Sequence, residues 1–252
     1  MSKKQDYIAV FDSGVGGISV LKELIRIMPQ ENYLYFGDSA NAPYGSRSTE
    51  QVRMLTLQAA QQLVERGIKA LVVACNTATS AAITQLREAY PDLIVVGIEP
   101  ALKLAADQFP NGRIGVMATQ VTLREEKFAH QLERFPNAHV SLIPAPGLVE
   151  LVEAGGANTP GAEQLLMPIL APYRGQLDAL VLGCTHYPFV KETITGILGE
   201  KTLLLDGGEG TARQTKRCLE QAELLHDGPG SLQMENSCQE ARLISLCMAL
   251  LK

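Results

Sequence analysis

Two short segments of the chain are nearly alike, and in each an apolar run leads to a cysteine. They are residues 70–77 (ALVVACNT) and 179–186 (ALVLGCTH). A continuous apolar run of this length, flanked by helical patterns, is typical of a parallel strand buried on both faces. Ligands of open parallel sheets bind beyond the carboxyl ends of the strands. The pattern therefore places Cys75 and Cys184 where chemistry takes place, one on each of two similar sheets.

Three further pairs of segments repeat in the same order. Residues 8–13 match 114–119, residues 33–36 faintly match 140–143, and residues 94–99 match 203–209, at an offset of 106 to 110 residues throughout. Several matches at nearly one offset favour a duplicated unit. We predict an α/β protein with two similar parallel-sheet α/β lobes, related by pseudo-twofold symmetry, with the active site between them.

The last part of the chain lies outside this repeat. An edge strand is predicted at 231–234, and an amphipathic helical pattern covers 238–251. Both are expected to pack back on the first lobe, which then comprises 1–99 plus 210–252. The second lobe comprises 100–209 and includes a helix predicted over 121–134.

Composition excludes several classes of protein. The formal charge of −5 and the absence of a basic run argue against nucleic-acid binding. No apolar run approaches the roughly 20 residues that cross a bilayer, and residues 1–6 lack a signal-peptide pattern. The 5 cysteines include no Cys-x-x-Cys pair, and the 4 histidines lack zinc-ligand spacing. We expect a cytoplasmic protein with a small-molecule substrate and no metal; the oligomeric state, a homodimer included, stays open.

The turn at 12–17 (DSGVGG) resembles a dinucleotide fingerprint only superficially. It lacks the G-x-G-x-x-G spacing, and Asp12 would repel a pyrophosphate, so nucleotide binding is rejected. Its glycines allow a tight turn that exposes N–H groups to a carboxylate or another anion. Asp12 ends a strand expected beside the Cys75 strand, which makes it an acid–base partner for that thiol. The alternative is a structural turn with Asp12 as a helix N-cap.

Polar residues follow both cysteines. Helix starts favour the thiolate form of a cysteine, and both thiols are expected at such starts. Asn76, Thr77 and Thr185 carry short hydrogen-bonding groups that could hold a substrate carboxylate. His186 lies two residues after Cys184, within reach of the thiol or the substrate. The alternative is that the cysteines are buried structural residues and the histidine a packing residue.

Three further positions are weaker candidates. The loop 43–45 is rigid at Pro43 and open at Gly45, so its backbone can approach a ligand, although an ordinary surface loop has the same pattern. Thr119 corresponds to Ser13 in the repeat and could contact substrate. Glu153 lies in a short amphipathic turn, where a solvated charge is an equal alternative.

Five motifs together resemble the aspartate/glutamate racemase superfamily, and within it the glutamate racemases. They are 11–17 (FDSGVGG), 38–45 (DSANAPYG), 74–79 (ACNTAT), 147–153 (GLVELVE) and 183–188 (GCTHYP). Two features depart from the family pattern. Ala145-Pro146 stands where relatives often have Cys-Pro, and the tail after about Asp227 fits poorly.

The resemblance implies a cofactor-independent interconversion of L- and D-glutamate in lobes that enclose the substrate, without pyridoxal phosphate, metal or nucleotide. It assigns the acid–base thiols to Cys75 and Cys184, with Asp12 and His186 as auxiliaries. It also implies a role in supplying D-glutamate for peptidoglycan. The substrate contacts that it implies are Asp12, Ser13, Tyr44, Gly45, Asn76, Thr77, Thr185 and His186.

Other functions remain open at this point. One is racemisation of aspartate or a related cofactor-free reaction such as decarboxylation through an enolate, although the second cysteine argues against a one-thiol decarboxylase. Another is a non-catalytic amino-acid-binding protein, which has no need of paired thiols with acid–base neighbours.

Overall fold

Parallel strands build both sheets of the molecule. The computed structural model describes residues 3–98, 101–119, 122–123 and 132–252. The chain divides into two units, Met1–Ile98 with Gly208–Lys252 and Glu99–Gly207. Each unit contains one parallel sheet with helices, which confirms the prediction of two parallel-sheet α/β lobes.

Both lobes are built from helices and strands, which alternate strictly along the chain in the first lobe. The first lobe contains β1 (Ile8–Asp12), α1 (Ile18–Ile27), β2 (Asn32–Gly37), α2 (Thr49–Val64), β3 (Ala70–Val73), α3 (Asn76–Ala89), β4 (Ile94–Gly97), α8 (Gly208–Gln221), β9 (Ser231–Asn236) and α9 (Ala241–Leu251). The second contains α4 (Leu102–Gln108), β5 (Arg113–Ala118), β6 (His139–Pro144), α5 (Leu148–Glu153), α6 (Pro160–Leu170), β7 (Ala179–Leu182), α7 (Lys191–Leu198) and β8 (Leu203–Asp206).

The two sheets have the same strand order and the same register. The first sheet runs β4-β3-β1-β2-β9, and the second runs β8-β7-β5-β6. Ile8 of β1 lies opposite Ala70 of β3, and the corresponding Ile114 of β5 lies opposite Ala179 of β7. The duplication therefore extends to individual residue pairs. It also puts the two cysteines at equivalent strand ends, each two residues after the last residue of its strand.

Burial explains why these strands read as unbroken apolar runs. Every residue of β1, β3 and β7 is buried. Strands at the centre of a parallel sheet are covered by helices on both faces, so alternation of polar and apolar residues is absent.

The tail completes the first sheet. The predicted edge strand is confirmed: β9 pairs in parallel with β2, and α9 packs against α1 and β9. Two ion pairs help to fix this region. The Nζ of Lys69 lies 2.5 Å from Oε2 of Glu31, and both side chains are buried. The Lys69 ammonium also donates to the carbonyl of Leu224. Arg66 binds both carboxylate oxygens of Glu235 in β9.

Two expectations from the sequence remain: a helix over 121–134 and the lack of a membrane-spanning segment. The helix predicted over 121–134 falls mostly outside the described residues. Within the described ranges, no helix has both the length and the apolar character needed to cross a bilayer.

Candidate active site

The turn after β1 holds a fully buried carboxylate. Asp12 Oδ1 accepts a hydrogen bond from the Gly14 N–H at 3.0 Å. Asp12 is not the N-cap of α1, because that position is Gly17, which makes no side-chain cap. A Cβ added at Gly17 would lie 2.6 Å from the Asp12 Cβ and 3.1 Å from the Ala74 Cβ. A glycine is required here because the start of α1 packs directly on the strand ends.

Cys75 is the N-cap of α3 and lies one strand away from Asp12. Its Sγ accepts from the Ala78 N–H at 3.4 Å, and its thiol donates to the Ser13 hydroxyl at 3.6 Å. The residue is 5% exposed. Hydrogen bonds to sulfur and the partial positive charge of a helix N-terminus both favour a thiolate.

The first turn of α3 presents buried polar groups. Asn76 and Thr77 are both buried, and among the described residues Asn76 Oδ1 has no hydrogen-bond partner. Buried polar atoms in proteins are almost always paired. Asn76 Oδ1 is therefore an acceptor available to a ligand such as the ammonium group of an amino acid.

Tyr44 points into the protein rather than to solvent. Its hydroxyl donates to Asp38 Oδ2 at 2.7 Å, and Asn41 Nδ2 donates to both oxygens of the same carboxylate. Burial, followed by Asp38 and the charges of Cys75 and Asp12, raises the pKa of Tyr44 well above its usual range. The alternative of an ordinary surface loop is wrong for Tyr44, which is buried.

In the second lobe, a histidine links a thiol to a carboxylate. His186 Nδ1 lies 3.7 Å from the Cys184 Sγ, and His186 Nε2 lies 2.7 Å from Glu153 Oε1. Cys184 and His186 are buried, and the Glu153 side chain is 17% exposed. The three groups form a continuous chain of hydrogen bonds from carboxylate to sulfur.

The electrostatics of this chain favour a charged imidazole. Burial by itself disfavours the charge, but the hydrogen bonds and negative charges of Cys184 and Glu153 outweigh it and raise the pKa of His186 well above 6.5. Tyr187, next in sequence, is buried beside the same thiol. Burial and the charges of Cys184 and Glu150 raise its pKa well above 10.0, so its hydroxyl stays neutral.

The expectation that Cys184 starts a helix is wrong. A short 3-10 helix, Tyr187–Val190, has His186 as its N-cap, and α7 begins only at Lys191. Pro188 is in the first turn of this 3-10 helix, where its missing N–H costs no hydrogen bond. The thiol of the second lobe has an imidazole as its neighbour where the first has a helix N-terminus.

The remaining candidates have mixed outcomes. Glu153, weighed equally against a solvated charge, contacts His186 directly. Thr119 Oγ1 lies 3.0 Å from Thr122 Oγ1 and accepts from the Thr122 N–H, which is a local turn contact. Thr185 is buried beside Cys184. No cluster of three or more histidine, cysteine, aspartate or glutamate side chains that could hold a metal occurs in the described part of the chain.

Asp38 is a site residue that the sequence analysis did not single out by itself. It comes directly after the end of β2 and anchors the Tyr44 hydroxyl. The rule that located Asp12, a carboxylate at the carboxyl end of a parallel strand, applies equally to Asp38.

The chain is similar to known racemases in sequence and in structure. The family model for Asp/Glu/Hydantoin racemase matches residues 12–215. Glutamate racemase of Clostridium kluyveri is 47% identical over 256 residues, which cover 100% of both chains. Escherichia coli glutamate racemase, solved with L-glutamate and the activator UDP-MurNAc-Ala, has a TM-score of 0.87 at 31% identity and covers 98% of this chain and 95% of its own. Picrophilus torridus aspartate racemase is more distant, with a TM-score of 0.57 at 16% identity, 85% of this chain and 94% of its own; this shows a shared fold alone.

Two duplicated parallel-sheet α/β lobes, each with a buried cysteine after an equivalent strand, place the chain in the class of cofactor-free racemase folds to which the compared glutamate racemases belong. The family model and the relative that matches over the full length identify the family. The chain belongs to the Asp/Glu/Hydantoin racemase family.

Proposed function

We propose that this protein interconverts L- and D-glutamate without a cofactor, using Cys75 and Cys184 as paired acid and base. The observation that carries the proposal is the equivalence of the two strand ends. Register-matched strands β3 and β7 lead to a buried cysteine in each lobe, and each cysteine has its own polar support. Inversion at a carbon needs one group on each face, and a duplicated lobe supplies two.

The proposed reaction transfers one proton at each thiol. One cysteine, as thiolate, removes the α-proton of bound glutamate and becomes a thiol. The other cysteine, as thiol, delivers its proton to the opposite face of the α-carbon and becomes a thiolate. The roles exchange in the reverse direction, as microscopic reversibility requires. Asp12 supports the first thiol in this scheme, and His186 supports the second.

The intermediate carries negative charge that spreads into the α-carboxylate. Preorganised donors aimed at that group stabilise the charge most effectively in a site without water. We assign this role to hydrogen-bonding groups at Asn76, Thr77 and Thr185, all of them buried. Ser13, Tyr44 and Gly45 complete the proposed contacts to substrate.

Glutamate is favoured over aspartate by the relatives. The Clostridium kluyveri protein, 47% identical over its full length, is a glutamate racemase, whereas the aspartate racemase structure shares only the fold. Glutamate and aspartate differ by one methylene group, which is worth roughly 1–3 kcal/mol in a pocket. We therefore expect aspartate to react more slowly than glutamate and not to be excluded. We further propose that the protein acts in the cytoplasm and supplies D-glutamate for peptidoglycan.

Incubation with L-glutamate in D₂O tests the proposal. A two-thiol racemase forms D-glutamate and incorporates deuterium at the α-carbon of that product. A protein that only binds amino acids incorporates no deuterium, and a decarboxylase releases carbon dioxide. Parallel incubation with L-aspartate measures the preference, and faster exchange of aspartate than of glutamate would contradict the substrate assignment.

A further inference from the structure

The end of strand β9 is bonded to the loop that follows β2. The Ser237 N–H donates to the Gly37 carbonyl at 2.9 Å, and the Ser237 Oγ accepts from the Ala40 N–H at 2.9 Å. Asn236 Nδ2 donates to the Ser39 Oγ at 2.8 Å. Two consecutive tail residues therefore make three hydrogen bonds to the end of β2 and the loop that follows it.

This loop carries the carboxylate that holds Tyr44. Asp38 lies between the bonded residues Gly37 and Ser39, and its Oδ2 accepts the Tyr44 hydroxyl at 2.7 Å. Its backbone N–H donates to the Asp12 carbonyl at 2.9 Å. The loop is thus held by the active-site strand on one side and by the tail on the other.

Close packing at Gly37 leaves little freedom in this arrangement. A Cβ added there would lie 2.4 Å from the Gly14 carbonyl oxygen and 2.9 Å from Asn236 Nδ2. Gly37 therefore lies between the turn after Asp12 and the side chain of Asn236, and it has no side chain of its own to fill that space. A displacement of Asn236 would therefore act directly on the backbone of Gly37.

We propose that Asn236 and Ser237 are positioning residues, which hold residues 37–41 so that Asp38 fixes Tyr44 for substrate. The inference rests on the proposed function, because Tyr44 is a proposed substrate contact. It assigns a positioning role to the tail, which lies beyond the residues 12–215 that the family model matches. The tail acts through the loop and does not itself touch substrate.

The strand does not depend on these contacts for its attachment. β9 pairs with β2 over six residue pairs, from Asn32 opposite Ser231 to Gly37 opposite Asn236, and Glu235 is bound by Arg66. The Ser231 hydroxyl donates to the Asn32 Oδ1 at 2.6 Å at the far end of the same ladder. Ser231 and Ser237 thus lie at opposite ends of β9, and the side chain of each makes one hydrogen bond. Of these two serines, only Ser237 binds the loop.

The test compares Ser237→Ala with Ser231→Ala. Hydrogen exchange is followed by mass spectrometry over residues 37–44, and KM and kcat are measured for glutamate. Ser237→Ala removes the acceptor of the Ala40 N–H and opens that amide to water, so exchange in the loop accelerates. KM rises about 5-fold, the factor that corresponds to one hydrogen bond. Ser231→Ala leaves loop exchange and KM at the wild-type values, and Ser237→Thr, which keeps the hydroxyl, restores both.

Two results would overturn the inference. One is wild-type exchange and KM in Ser237→Ala; the other is an equal rise of KM in both alanine variants, which would indicate general loosening of the strand. A wild-type protein that racemises no glutamate would instead refute the proposed function. The exchange comparison would then still decide whether the tail holds the loop.

Discussion

The carboxylate of Glu153 and the imidazole of His186 are joined by a 2.7 Å contact although 33 residues separate them in sequence. Glu153 lies at the end of α5, and His186 precedes the short helix after β7. The first lobe has a different arrangement. Its carboxylate, Asp12, is the last residue of β1, and the equivalent last residue of β5 in the second lobe is Ala118. Duplication has preserved the strands and the thiols, while each lobe supports its thiol by different chemistry.

The chain from Glu153 to Cys184 predicts graded kinetic effects. His186→Gln removes the imidazole that supports the thiol, so kcat/KM falls by roughly 10²-fold or more. Glu153→Gln keeps a hydrogen bond and loses the charge, so its loss is smaller, roughly 10-fold. Both enantiomers have equal free energy, so kcat/KM must fall equally for L- and D-glutamate. Rates measured by polarimetry check this, with Glu163→Gln on the exposed face of α6 as control. A larger effect of Glu153→Gln than of His186→Gln would contradict the proposed order.

The raised pKa of His186 predicts how stability depends on pH. The folded protein binds the imidazole proton more tightly than the unfolded chain, whose pKa is near the ordinary 6.5. The stabilisation from this group is fully present below that value and is lost as the pH rises through the folded pKa. The difference in unfolding free energy between wild type and His186→Gln should therefore shrink as the pH is raised above about 6.5. Urea unfolding across that range measures the difference.

Glu153→Gln provides the control for this pH dependence. Without the carboxylate charge, the imidazole holds its proton less tightly, so the stabilisation should disappear at a lower pH than in the wild type. A difference that instead grew with rising pH would show that His186 is neutral in the folded protein.

The strands were the most predictable part of the fold. The apolar runs before Cys75 and Cys184, flanked by helical patterns, are typical of parallel strands buried on both faces, and the ends of parallel strands mark ligand sites. Local sequence was less informative about the segment after each strand. Both cysteines precede a helical pattern, but in the second lobe a 3-10 helix (Tyr187–Val190) comes first and the α-helix begins only at Lys191.

Contacts between distant segments were not accessible from sequence. Glu153 has the pattern of a solvated charge on a short amphipathic helix, and only the fold brings it to His186. Ser237 lies in a tail outside the repeat, yet it binds the loop at Ala40, 197 residues away. Periodicity describes which face of an element is buried, whereas it contains no information on which polar group that face meets.

The two-thiol scheme predicts that neither cysteine can be replaced. In Cys75→Ser and Cys184→Ser a hydroxyl, a far weaker acid, replaces one of the two proton carriers, so racemisation falls by roughly 10²- to 10⁴-fold. The fold should stay intact because serine is nearly isosteric with cysteine. Cys218→Ser in α8, where the thiol accepts from Gln214 at 3.2 Å, is the matched control and should keep wild-type activity. Chiral chromatography of the product measures racemisation, and full activity in either strand-end variant would refute the scheme.

Gly17 and Gly196 predict opposite effects of the same substitution. The Cβ of Gly17→Ala would lie 2.6 Å from the Asp12 Cβ, so the start of α1 and the carboxylate must shift apart; we expect a loss of about 1–3 kcal/mol in unfolding free energy and a fall in kcat/KM. Gly196 lies within α7 with nothing within 4 Å of an added Cβ. Gly196→Ala should therefore raise the unfolding free energy by about 0.5–1 kcal/mol, because alanine loses less conformational entropy in a helix. Urea unfolding of both variants measures the change in unfolding free energy, and glutamate kinetics measure the change in kcat/KM. Wild-type stability and activity in Gly17→Ala would show that the close packing of α1 on Asp12 is not needed to hold the carboxylate.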